Sequence, residues 1–162
     1  MAGSCGTCTA CCRAYAIPEL EKPAGKWCEH CAIGKGCKIY EARPAMCLEY
    51  ECLWLHSQGR EDPREQMVPE MRPDKCKVIF SMTTDQHIIV AFTATGYPDA
   101  WKKEPARALI NKLLLSNYRV VVGNPTSKQK LMLDKFGAKE IALSEPDENG
   151  MQWGENPPPL PG

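Results

Sequence analysis

The chain has 162 residues, the length of one domain or of a small cysteine-rich lobe joined to a modest second lobe. Its 20 Lys and Arg balance 20 Asp and Glu, and this neutrality argues against a dedicated nucleic-acid binder. Ten cysteines are present and nine fall between Cys5 and Cys52, in a stretch too poor in Leu, Ile and Val to offset its own ordering entropy with a core.

Taken in order, Cys5 and Cys8 are two residues apart, Cys11 repeats that interval, and Cys12 follows directly. A two-residue spacing lets both sulfurs reach one ion at about 2.3 Å, the usual zinc–thiolate distance. Adjacent side chains diverge, so Cys11 and Cys12 are expected to serve different ions, or one of them to bridge. Residues 15–26 contain Pro18, Pro23 and Gly25 and read as a loop. Trp27 precedes a second knuckle, Cys28 and Cys31, where it either shields the cysteines or fills a small core. Cys37, Cys47 and Cys52 follow. Residues 39–55 are expected to include a short helix with Pro44 in its first turn, projecting Cys47 and Cys52 from different faces. Together these spacings predict a lobe at 1–56 held by metal–thiolate bonds, with two or more ions.

Residues 57–75 turn charged and proline-bearing and read as a linker. A small α+β lobe is expected at 76–143, mostly antiparallel with about two helices. Residues 77–83 and 86–93 read as a hairpin around Thr84-Asp85, and Ala106, Leu109, Ile110, Leu113 and Leu114 mark one helix face. Residues 118–122 form a buried strand. The 127–136 stretch reads as a helix closed by Gly137, with a β-hairpin through 130–143 as the alternative. A strand over 139–143 ends the lobe. The acidic, proline-rich tail, 144–162, favours polyproline II or an extended trail, and a proline-binding partner is conceivable.

The pattern Cys5-x-x-Cys8-x-x-Cys11-Cys12, with Gly36-Cys37-x-Ile39-Tyr40-x-x-Arg43-Pro44-x-x-Cys47, closely resembles the CxxCxxCC family of zinc- or iron-chelating domain proteins. The resemblance covers roughly residues 5–54. It implies metal chelation at Cys5, Cys8, Cys11, Cys12, Cys37 and Cys47. Cys28, Cys31, Cys52 and Cys76 lie outside the shared positions and are metal candidates on spacing alone. Some relatives resemble protein lysine N-methylases, but no glycine-rich βα turn for such a cofactor occurs here.

Other candidates carry blander readings. His30, between Cys28 and Cys31, suits a supporting or exposed role, and His56 is a candidate fourth ligand beside three thiolates. His87 reads as a sheet-face histidine. Cys76 either closes a metal site across the lobes or is a buried free thiol. Arg13, Lys26, Lys35, Lys38 and Arg43 offset thiolate charge or are ordinary surface. The 123–128 loop lacks the glycine and lysine order of a phosphate loop. No catalytic constellation is visible, and whether the protein is an enzyme stays open. The expected cofactor is zinc, with an iron–sulfur cluster supporting redox or methyl-transfer-related work as the alternative, and metal storage or delivery as another. Residues 1–4 resemble no leader and residues 88–92 are too short for a span, so a cytoplasmic protein with reduced thiols, no membrane and an unidentified protein partner is expected.

Overall fold

The computed structural model describes residues 5–83, 87–127 and 129–142. The Thr84-Asp85 turn and the 144–162 tail lie outside the described residues.

A five-stranded mixed sheet forms the middle of the molecule, in the order β3-β4-β5-β6-β7. Strands β3 (Val78–Met82) and β4 (Ile88–Thr93) are the antiparallel pair expected from their apolar runs. β4 pairs in parallel with β5 (Arg119–Gly123), and helix α5 (Ala106–Leu115) makes the crossover such a pairing needs. β6 (Gln129–Asp134) and β7 (Gly137–Ala142) complete the sheet as an antiparallel hairpin.

The central strands are apolar almost without interruption because both faces are covered. Val78, Phe80, Ile89, Ala91, Val120 and Val122 point to one side, where Ala106 and Ile110 of α5 pack with Met71 and Ala100. Leu109, Leu113 and Leu114 flank that contact, so the helix face read from its spacing is the one that docks. Ile79, Ile88, Val90, Phe92, Val121 and Met132 point to the other side, against Ala14 and Tyr15.

Those two residues belong to the cysteine-rich layer. It contains α1 (Ala10–Ala14), a two-stranded ladder of β1 (Cys31–Ala32) and β2 (Gly36–Cys37), α2 (Ala45–Glu49) and α3 (Leu53–Gln58). The expected helix after Pro44 is present but short: it closes at Tyr50, and α3 starts anew with Cys52 as its cap. Residues 59–76 hold two short 3₁₀ turns and α4 (Pro73–Cys76), and send Met67 and Met71 toward the sheet.

The chain is therefore α+β, with one correction. The second helix expected over 127–136 is a strand, and the hairpin alternative is what forms. Lys130 and Met132 are buried on one face, a two-residue period that the run of Leu131, Met132 and Leu133 conceals. Gly137 ends no helix but turns the hairpin at φ 151°, with the Asp134 carboxylate accepting from the Phe136 and Gly137 amides at 2.7 and 3.0 Å. Among the described residues, no helix is long and apolar enough to cross a membrane.

Candidate metal centre

The cysteine layer folds around local turns rather than an apolar core of its own. The Cys8 amide donates to the Cys5 carbonyl at 2.9 Å, and the Cys31 amide to the Cys28 carbonyl at 3.0 Å. These are the two knuckles expected from their spacing. The knuckles are drawn together from afar: the Cys28 amide donates to the Cys12 carbonyl at 3.1 Å, and the Gly34 amide to Thr9 Oγ1 at 3.1 Å. Register then sets Cys31 opposite Cys37 across the β1–β2 ladder.

The result is a chamber of about 110 Å³ whose wall includes Cys5, Cys8, Cys11, Cys12, Cys28, Cys31, Cys37, Cys47 and Cys52. All ten cysteines are free thiols. Cys76 is not on the wall; its Sγ donates to the carbonyls of Met71 and Val78 at 3.4 and 3.3 Å. His30 is on the wall and also lies 3.5 Å from Glu29, whereas His56 turns to Glu51 at 3.3 Å. His87 is exposed beside the Tyr118 ring.

Burial governs the thiols. It pushes Cys5, Cys8 and Cys47 upward, and Cys31 and Cys52 up to about 11. Cys12 goes the other way, down to about 6, because it accepts hydrogen bonds from the Cys11 and Cys31 thiols and stands near the Lys22 charge. Cys11, the buried donor of that pair, is held well up.

Several neighbours gave no signal in the sequence. Lys22 is buried, its ammonium donating to the Tyr15, Arg13 and Pro23 carbonyls while its charge faces Cys28, Cys12, Cys11 and Cys47. Asp74 accepts from the Cys8 thiol and is gripped by Arg72 through two 2.6 Å contacts. Of the bases expected to offset thiolate charge, Arg43 stands near Cys5 and Cys47, with its guanidinium 3.7 Å over the Tyr40 ring. Arg13 instead donates to the Gly25 carbonyl and covers Trp27, which is partly exposed and off the chamber wall. Behind the thiols, the hydroxyls of Tyr15, Tyr50 and Ser81 form a closed triangle with sides of 2.7 to 3.2 Å.

As the side chains stand, no three His, Cys, Asp or Glu groups among the described residues are gathered into a ligating arrangement. What the fold supplies is convergence of the donor type: nine cysteines line one chamber, and a single χ1 torsion moves each sulfur. Sulfur donors fit zinc or iron–sulfur chemistry rather than calcium or magnesium. The Trp54 indole N–H, on the same wall, is buried with no hydrogen-bond partner among the described residues, a donor suited to a thiolate.

No family model, curated protein or solved structure matches the chain.

Proposed function

We propose that this is a metal-binding protein in which cysteine thiolates hold two or more zinc ions, in a structural or interaction role. The observation that carries the reading is the gathering of nine cysteines around one chamber, in a layer that has little apolar core of its own. A bound ion would cross-link four ligands, and its binding energy would add to folding. Cys5, Cys8, Cys11, Cys12, Cys37 and Cys47, the positions of the CxxCxxCC resemblance, are all on that wall, which supports keeping the family as part of the proposal. Thiols kept free for a metal belong in a reducing compartment, so we place the protein in the cytoplasm. The neutral balance of charge favours a protein partner over a nucleic acid.

The test is elemental analysis of anaerobically purified protein with a visible spectrum of the same sample. Two or more zinc per chain without colour is the expected result. Iron with matching sulfide and a visible band would replace zinc by the iron–sulfur alternative, and a metal-free, fully folded protein would overturn both. Slow release to a chelator is expected of structural zinc, and ready release would favour storage or delivery.

A further inference from the structure

We infer that the chamber holds two separate ions, one on Cys5, Cys8, Cys11 and Cys52 and the other on Cys12, Cys28, Cys31 and Cys37, divided at the Cys11–Cys12 peptide. This rests on the metal-binding reading above and assigns its ligands.

The second set is tied together by backbone contacts alone. Cys12 is fixed beside Cys28 by the 3.1 Å amide–carbonyl bond, Cys28 beside Cys31 by the knuckle turn, and Cys31 opposite Cys37 by ladder register. None of these three links involves Cys5, Cys8, Cys11 or Cys52. The first set begins with the other knuckle, Cys5 and Cys8, and α1 carries Cys11 from there. Cys52 is brought in from the cap of α3, where its sulfur accepts the Leu55 amide at 3.5 Å. The cysteines whose charges Cys52 faces are Cys8 and Cys5. Cys31 faces Cys12 and Cys28. Contact between the sets runs through Cys12, which meets Cys11 and faces Cys5.

Two further features agree with a division. Four thiolates around a divalent ion carry a net charge of minus two, and each set has its own nearby cation. Arg43 stands near Cys5, in the first set, and Lys22 faces Cys28 and Cys12 in the second, reaching Cys11 at the boundary as well. The Cys11 and Cys12 thiols share a hydrogen bond as they stand, so the dipeptide is where the two sets meet, and a turn of one χ1 torsion gives each sulfur to its own ion. Cys47, on α2, faces Cys12, Cys28 and Cys37 and is the fifth thiol of the second set. A tetrahedral ion takes four, and among the described residues no backbone hydrogen bond ties Cys47 to the other members, so Cys47 is the one whose loss leaves the ion count unchanged. Three of the four cysteines outside the CxxCxxCC resemblance, Cys28, Cys31 and Cys52, thereby complete the two sites.

Full-length protein loaded with cadmium-113 provides the test, by correlating cadmium resonances with cysteine β-protons. Two resonances are expected, one correlated with Cys5, Cys8, Cys11 and Cys52, the other with Cys12, Cys28, Cys31 and Cys37. Correlation of Cys11 and Cys12, or of Cys5 and Cys28, with one and the same cadmium would overturn the division while leaving metal binding intact. A protein that takes up no cadmium and no zinc would overturn the metal-binding reading and the division with it. Metal counting by native mass spectrometry adds a second readout. Cys5→Ser with Cys8→Ser, and Cys28→Ser with Cys31→Ser, should each lower the count from two ions to one, and Cys47→Ser should leave it at two. Loss of both ions, or of neither, in a folded paired variant overturns the assignment.

Discussion

At the scale of single residues, two buried polar arrangements make claims that titration and mutation can check. Lys130 is 3% exposed, donates to the Asn124 and Ser127 carbonyls, and lies 5.6 Å from the centre of the Phe92 ring. Its stem runs where a side chain on Gly123 would sit, which explains the glycine. Burial draws its amine down to about 8. The folded chain therefore binds fewer protons here than the unfolded chain at alkaline pH, and stability from this residue rises with pH. The penalty is full below pH about 8 and is relieved toward the ordinary lysine value. Buried Cys31 and Cys52, held near 11, slope the opposite way, so a comparison with Lys130→Met isolates the lysine. Wild type should gain on that variant by about 2 kcal/mol between pH 7 and 10 in denaturant titrations. A flat difference would mean the amine is hydrated. The second arrangement is the hydroxyl triangle. Ser81→Ala leaves two buried tyrosine hydroxyls with only each other and should cost about 1–3 kcal/mol, more than Tyr50→Phe, which leaves the Tyr15–Ser81 bond of 2.8 Å intact. The reverse order would show that the triangle is not closed in solution.

At the scale of elements, legibility followed how local the determining contacts are. Strands β3, β4 and β5 and helix α5 were readable because their apolar runs and helical spacing are short-range patterns. The β6–β7 hairpin was readable only as an alternative, since three consecutive apolar residues fit either period and Gly137 suits a helix end as well as a turn. Asp134 decides the matter by capping the turn, and Asp134→Ala should lower stability by about 1 kcal/mol. If that variant instead keeps full stability, the hairpin is specified by strand packing alone. The cysteine knuckles were visible as spacings, yet their partnership was not. It depends on the Cys12–Cys28 backbone bond and on a two-stranded ladder of two residues each, too short to leave any periodicity. Lys22, Arg72 and Asp74 leave no sequence signal for a related reason: a charged residue in a polar stretch looks solvated until the fold buries it, as with Lys22, or half-buries it, as with the Arg72–Asp74 pair.

At the scale of the whole molecule, the cysteine layer is a wall of the sheet. Tyr15 and Tyr50 reach across sequence separations of 66 and 31 residues to Ser81, while Cys11 and Cys52 border the face built from Ile79, Val90, Phe92 and Val121. The opposite face has its own cover in α5 and Met71, with Leu53, Trp54 and Cys76 packed beside them and none of the nine chamber cysteines in that cluster. Metal removal should therefore act on one side of the sheet first. After chelation under reducing conditions, amides of the 5–52 region should lose hydrogen-exchange protection, while those of β4 and β5 at the sheet centre keep most of theirs. A dye that reports exposed apolar surface should brighten as the Ile79 and Phe92 face is uncovered, and returning zinc should reverse both changes. If sheet and cysteine layer lose protection together, the α5 face is not a sufficient core and the ions stabilise the entire fold. If the cysteine layer stays protected without metal, its contacts with the sheet suffice to order it, and the thiols are held ready for a metal rather than organised by one.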